Sequence, residues 1–228
     1  MQLVVVIPAL DEEQSIGRVI EDLGVPPSQI VVVDNGSSDA TAAVATAAGA
    51  RVISEPRRGY GSACLTGIAA AGDVDVIAFV DADYSDHPDQ LPRLLGPISA
   101  GEADLVIGSR RLGRRSRGAH PWHAVLGTRL CVGLMNALVG TRATDLGPFR
   151  AIRLESLRAL DMRDRTYGWT VEMQIKAAQR GLRVVEVPVD YRPRIGHSKV
   201  SGTLRGSLGA AAGILRTIAR QGTWGRRR

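Results

Sequence analysis

Cysteine is scarce: Cys64 and Cys131 are the only two in 228 residues, too few for a disulfide framework, and no Cys/His spacing matches a zinc site. Both lie in apolar stretches that read as helical, which predicts buried packing. Long hydrophobic runs are also missing. Nothing reaches the roughly 18 continuous apolar residues of a membrane span. The opening run Leu3–Ile7 is too short for a signal peptide and is cut by Pro8. These absences lead to the expectation of a cytoplasmic protein, with peripheral contact on the cytoplasmic face of a membrane as its one membrane role. Aromatic residues make up 4% of the chain, a poor supply of stacking platforms, so the expectation is no nucleic-acid partner. Acidic residues are absent from Ser201 to Arg228, where six arginines stand.

What is present describes an ordinary globular domain: 44% hydrophobic, 23% charged, with a formal net charge of +6 that suits an anionic partner without choosing among them. The first half alternates short Val/Ile-rich runs with helical segments. Strands are expected at 2–8, 29–34, 50–54, 75–81 and 103–108, and helices at 13–23, 39–48, 61–71 and 89–99. Ser38 and Asp39 are expected to cap the second helix. Near-continuous apolar runs point to strands buried on both faces, and the β-α order predicts a parallel sheet. Further on, helices are expected at 120–138, 154–160 and 169–180, and strands near 147–152 and 183–189. A last helix from about Thr203 carries an apolar stripe (Leu204, Leu208, Ala211, Leu215, Ile218) flanked by arginines. The chain therefore divides into a body at 1–203 and a basic amphipathic tail at 204–228. Such a tail suits either packing on its own domain or a membrane interface.

The chemistry-bearing residues gather where strand runs end. In an open α/β sheet, ligands bind outside the carboxyl ends of the strands. Asp81 and Asp83 follow Val76–Val80; residues i and i+2 of an extended segment point the same way, so both carboxylates can converge on one hard cation such as Mg²⁺ or Mn²⁺. Asp11 and Glu12 follow the first strand, and Asp34 ends the second. A carboxylate there suits hydroxyl or imide donors, although Glu13 reads as helix-dipole charge. Arg57 and Arg58 lead into Gly59-Tyr60-Gly61 at a helix start, where glycines admit close backbone approach and a helix N-terminus favours anions. Arg110, Arg111, Arg114, Arg115 and Arg117 follow the fifth strand, and Arg192, Arg194 and Lys199 lie in a later Gly/Ser-rich loop. Guanidinium groups match phosphate geometry.

These ordered motifs, together with Asp145-Leu146-Gly147-Pro148-Phe149-Arg150 and Tyr167-Gly168-Trp169-Thr170-Val171-Glu172, resemble family 2 glycosyltransferases. The likeness is to the branch around dolichyl-phosphate mannose synthase and its bacterial polyprenyl-phosphate relatives, from about Leu3 to about Thr203. The resemblance implies a GT-A fold, a single Rossmann-like α/β domain with a mostly parallel sheet. It also implies metal-dependent, inverting transfer of a hexose from a nucleotide-diphosphate sugar to polyprenyl phosphate. It assigns Pro8, Ala9, Asp11, Glu12 and Asp34 to the nucleoside, and Arg58 and Ala82 to the donor. Asp81 and Asp83 would hold Mg²⁺ or Mn²⁺, and Arg110, Arg117, Arg194 and Lys199 would close over the phosphates. Asp83, Arg110 and Glu172 would stand nearest the chemistry. The family often has glutamine two residues after the second aspartate, a position held here by Ser85.

A phosphate acceptor is already ionised near neutral pH and needs cations more than a base, because its second pKa is about 6. A hydroxyl acceptor, the alternative, needs a base, and Glu172 stands where relatives carry one. Trp169 reads as a sugar-stacking wall or as core. A sugar-1-phosphate nucleotidyltransferase is a more distant reading, since Pro8-Ala9-Leu10-Asp11-Glu12 replaces the glycine-rich loop expected there. A nucleic-acid binder is disfavoured by the acidic strand ends.

Overall fold

The structure is a computed structural model that describes residues 1–116, 118, 119, 122–196 and 212–220, with backbone alone at 122–124. Seven strands, β1 (Leu3–Ala9), β2 (Ile30–Asp34), β3 (Arg51–Ser54), β4 (Val76–Phe79), β5 (Leu105–Ser109), β6 (Arg150–Arg153) and β7 (Val184–Pro188), form one sheet in the order β3-β2-β1-β4-β6-β5-β7. Every residue of β1, β4 and β5 is buried, as their unbroken apolar runs predict, whereas edge strands β3 and β7 are part exposed.

All pairings are parallel except those of β6, which runs antiparallel to both β4 and β5. The sheet is therefore mostly parallel, as the family resemblance implies, and β6 is its one departure from the parallel order that the β-α alternation of the first half predicts. The chain leaves β5 at the ligand-binding end and is back at that end by Gly147–Phe149, where Gly108 N–H donates to Phe149 C=O at 2.8 Å. A strand that starts at that end must run down the sheet against its neighbours.

Helices α1 (Ile16–Asp22), α2 (Thr41–Ala47) and α4 (Leu91–Ser99) accompany a core made by one set of alternating strand side chains, including Val5, Ile7, Ile30 and Val32. On the other face, α3 (Tyr60–Ala70), α6 (Leu154–Leu160) and α7 (Trp169–Gln179) pack on Val6, Val31, Val33 and Phe79. Asp39 serves the start of α2, its Oδ1 accepting from Thr41 N–H at 2.9 Å. Trp169 is fully buried, edge-on to Phe79 at 4.7 Å between centroids, so it is core. Both cysteines are buried and free.

A satellite cluster joins α5 (Trp122–Val139), α7 and α8 (212–220) through Cys131, Val132, Met135, Val171, Ile175 and Ile218. Of the expected tail stripe, Ile218 packs inward and Leu215 is 45% exposed, while Leu204, Leu208 and Ala211 lie outside the described residues. Among the described residues no helix is long and apolar enough to cross a membrane.

Candidate functional site

The parallel strands β1, β2 and β4 end together, with Ala9 beside Asp34 and Val6 beside Phe79 in the ladders. The residues that follow each strand therefore converge on one place. They enclose a cavity of about 430 Å³, lined by Pro8, Ala9, Glu12, Arg58, Asp81, Ala82, Asp83 and Arg194 among those expected from sequence. The size suits a small ligand.

Asp81 is half-buried as a residue, but its Oδ1 is enclosed and finds no hydrogen-bond partner among the described residues. Burial, and then the charge of Asp83, push its carboxyl up to about 7, against the opposing influence of Tyr60, Arg110 and Arg194. A desolvated carboxylate with an orphaned oxygen thus stands beside a second carboxylate that pairs with Arg194. That oxygen donor set fits a hard divalent cation. Two carboxylates do not complete a coordination shell, and no cluster of three or more His, Cys, Asp or Glu ligands occurs among the described residues. Substrate oxygens would have to supply the remainder, as is usual for Mg²⁺. Ser85, in the position of the missing glutamine, is buried and its N–H donates to Asp83 Oδ1 at 2.9 Å.

Arg194 reaches into the cavity from the segment after β7. Its Nη2 lies 2.5 Å from Glu12 Oε1 and its Nη1 lies 3.3 Å from Asp83 Oδ2. Ile195 N–H donates to Asp83 C=O at 3.0 Å, which ties this segment to the metal-type carboxylates. Glu12 is further held by Ser15 Oγ at 3.2 Å. Asp11 and Asp34 take a different part. Asp11 accepts from Ser38 N–H at 2.7 Å, and Asp34 accepts from Ser37 N–H at 3.1 Å, so both shape the turn between β2 and α2. Asp11 holds φ at 48°, a left-handed conformation in which this carboxylate reaches that turn.

The glycine turn departs from its sequence reading. The amides of Gly61 and Ser62 at the start of α3 are not open to an anion: Gly61 N–H donates to Thr166 C=O and Ser62 N–H to Arg165 C=O, at 3.2 and 3.0 Å. A Cβ on Gly59 or Gly61 would collide with the carbonyl oxygen of Arg165 or Asp164. These glycines are therefore required by a downstream strand of backbone as well as by the cavity they border. Asn35, to which the sequence assigned no role, organises the turn. Its Nδ2 donates to Glu55 and Arg57 carbonyls, both at 2.9 Å, and its Oδ1 accepts from Gly59 N–H at 2.7 Å.

Arg110 sits in an adjoining crevice with Arg111, Arg115, Arg129 and Asp145. It is clamped by Asp145 through two bonds of 2.7 Å and lies 5.2 Å from the Tyr191 ring centroid. Burial works against the Asp145 charge, but Arg110 overrides it and holds the carboxyl down at about 2. Arg117 and Lys199 lie outside the described residues.

Glu172 is a correction. It does not border the cavity. Its carboxylate is 1% exposed, accepts from Arg163 and Asp164 N–H at 3.0 and 2.7 Å, and pairs with Lys176 Nζ at 2.7 Å. The Glu-Lys spacing of four places both on one face of α7, and that face lines a second, polar cavity with Asp161 and Arg180. Sequence reasoning also overlooked Asp86. It is buried, and among the described residues neither of its carboxylate oxygens finds a hydrogen-bond partner. Burial, then the charge of Asp81, push it well above the ordinary carboxylate range. Asp86 lies three residues beyond Asp83, outside the i, i+2 spacing that marks Asp81 and Asp83.

Glycosyl transferase family 2 matches residues 4–161. An uncharacterised glycosyltransferase of Mycobacterium tuberculosis is 41% identical over 218 residues, covering 94% of this chain and 97% of that protein. An undecaprenyl-phosphate mannosyltransferase of Micrococcus luteus is 35% identical, covering 90% of each. Among solved structures, glucosyl-3-phosphoglycerate synthase from Mycobacterium tuberculosis, in complex with Mn²⁺, UDP-glucose and phosphoglyceric acid, superposes with a TM-score of 0.78 at 25% identity, over 97% of this chain and 80% of the other.

Proposed function

The chain belongs to glycosyl transferase family 2, and from that premise we propose that it moves a hexose from a nucleotide-diphosphate sugar to polyprenyl phosphate, with inversion at the anomeric carbon. The observation that carries the choice of acceptor is the placement of Glu172. The residue that would act as base for a hydroxyl is locked against Lys176 outside the cavity, while arginines stand beside it. A phosphate monoester needs no base, because with a second pKa of about 6 it is already ionised near neutral pH. The acceptor phosphate oxygen attacks the anomeric carbon, the bond from that carbon to the diphosphate oxygen breaks, and the electron pair leaves with the nucleoside diphosphate. The undecaprenyl-phosphate mannosyltransferase relative supports this acceptor class.

Within this reading Asp81 and Asp83 would hold Mg²⁺ or Mn²⁺, which supplies Lewis-acid stabilisation of the departing diphosphate when bound. Pro8, Ala9 and Ala82 form walls for the donor, and Arg58 faces its phosphates. Arg194 holds Glu12 and Asp83 in the free protein and is placed to turn its guanidinium toward a diphosphate. Arg110, oriented by Asp145, offers a fixed cation on the acceptor side, with Arg117 and Lys199 as further phosphate contacts. Asp11, Glu12 and Asp34 retain the nucleoside role, the first and last through the turn they shape.

A second reading is favoured by one observation. The solved neighbour is complexed with phosphoglyceric acid, a small soluble acid. A soluble hydroxyl acceptor therefore stays as the rival. Incubation with GDP-mannose or UDP-glucose, Mn²⁺ or Mg²⁺, and a short polyprenyl phosphate, followed by mass spectrometry, is expected to yield a lipid-phosphate hexose. Nucleoside diphosphate release with no lipid product, and a glycosylated product from a soluble acceptor, would reverse the order of the two readings.

A further inference from the structure

One helix is apolar on both sides. The inward face of α5 packs Cys131, Val132 and Met135 into the satellite cluster. Its outward face presents Leu126, Leu130, Leu134 and Leu138, which are 50%, 65%, 39% and 41% exposed. Spacing of four keeps them on one stripe, about 18 Å long at 1.5 Å per residue. A helix apolar all round is normally buried, and a contiguous exposed apolar stripe marks an interaction site.

The bordering charge is predominantly basic, Asp145 in the crevice at the start of the helix being paired with Arg110. From Leu105 to Thr144 the chain has seven arginines and no acidic residue. Arg111 and Arg115 share a crevice with Val125 and Arg129 at the start of the helix, so part of that charge borders the stripe directly. A net-basic rim of this kind favours an anionic bilayer over a soluble protein partner of mixed charge. The helix is not long and apolar enough to cross a membrane. A helix with a leucine face and a basic border lies along the interface instead.

We infer that the outward leucine face of α5, with its arginine rim, is a docking surface for an anionic lipid bilayer. The inference deepens the proposed lipid-acceptor function and rests on it for its use: the same arginine loop that borders the stripe also holds Arg110 beside the cavity, so docking brings the acceptor phosphate to the site. Of the C-terminal stripe, only Leu215 and Ile218 fall among the described residues.

The test is cosedimentation of the full chain with phosphatidylglycerol vesicles and with phosphatidylcholine vesicles, beside Leu130→Glu and the milder double variant Leu126→Gln/Leu130→Gln. The wild type is expected to pellet with the anionic vesicles and far less with the neutral ones. Both variants are expected to lose at least about tenfold in partitioning while keeping their circular dichroism and their turnover of a short, water-soluble polyprenyl phosphate. Wild-type protein that stays in the supernatant with anionic vesicles overturns the inference, as does undiminished pelleting of both variants. So does a wild-type dimer in sedimentation that Leu130→Glu converts to monomer with vesicle binding unchanged, which would assign the stripe to a second copy of the chain. The acceptor reading is judged apart from this, by whether the wild type glycosylates the short acceptor in solution without vesicles.

Discussion

Two sets of carboxylates at the same end of this sheet live under opposite conditions. Asp145 and Glu172 are each at most 2% exposed, and each meets a cation and two or more backbone amides. Asp81 and Asp86 carry enclosed oxygens with no hydrogen-bond partner among the described residues, and both are pushed upward by burial, then Asp81 by the charge of Asp83 and Asp86 by that of Asp81. A buried charge that is paired and hydrogen-bonded is part of the fold, whereas one left unsatisfied marks a place where something else must bind. The contrast supports architecture and orientation for the first pair and the proposed chemistry for the Asp81–Asp86 segment.

The sharpest way to break the contrast is to remove the unsatisfied charge. Asp81→Asn is expected to lower sugar transfer about a thousandfold, the several kcal/mol of charge stabilisation that a metal contributes. Its effect on stability should have the opposite sign. The folded-state pKa of Asp81 is raised, so the unfolded chain loses its proton first and the carboxylate weakens the fold as pH rises from about 4 to about 7. The variant should therefore melt at a higher temperature than the wild type at pH 8, with a smaller gain at pH 5, both without added metal. A lower melting temperature at pH 8 would mean that Asp81 is satisfied after all.

Removing a satisfied charge should do the reverse. Asp145→Ala leaves the Arg110 guanidinium clamped by nothing and is expected to cost about 3–5 kcal/mol in urea unfolding. The folded pKa of Asp145 is lowered to about 2, so its contribution is present above the ordinary carboxylate range and is lost as pH falls toward 2. Acid titration of wild type and variant should accordingly converge at low pH. Curves that stay parallel would remove Asp145 from the acid-labile set.

The contrast was only partly legible in the sequence. Strands β1, β2 and β4 were plain because unbroken apolar runs leading into carboxylates leave little choice of element. The direction of β6 was not, since the direction of a strand follows from where the preceding chain returns, which no local pattern encodes. The metal-type pair could be read because i and i+2 share a side. Asp86 could not, because an orphaned carboxylate is defined by what packs over it, here Tyr191 in a bridge from far along the chain. The need for glycine at Gly59 and Gly61 comes likewise from the Asp164–Arg165 backbone, which spacing around the turn does not reveal. Glu172 did carry a readable signal that the family resemblance overrode: a lysine four residues on, at the spacing of an intrahelical pair.

That residue offers the smallest and most discriminating effect. In Glu172→Gln the amide oxygen can still accept from the Arg163 and Asp164 amides, but Lys176 loses its carboxylate and keeps, among the described residues, its bond to the Asp161 carbonyl at 2.5 Å. A buried ammonium deprived of its counter-ion should reduce stability by about 1–3 kcal/mol. Transfer to a phosphate acceptor should stay within about twofold of wild type, since nothing in that reaction requires Glu172 to take a proton. The pH profile separates the cases. A general base lost from the site would remove the acidic limb of kcat/KM along with the rate, whereas a structural pair lost from α7 would leave the limb in place. A drop of a hundredfold or more with loss of that limb would move Glu172 from the satisfied class into the chemistry, and with it the acceptor from phosphate to hydroxyl.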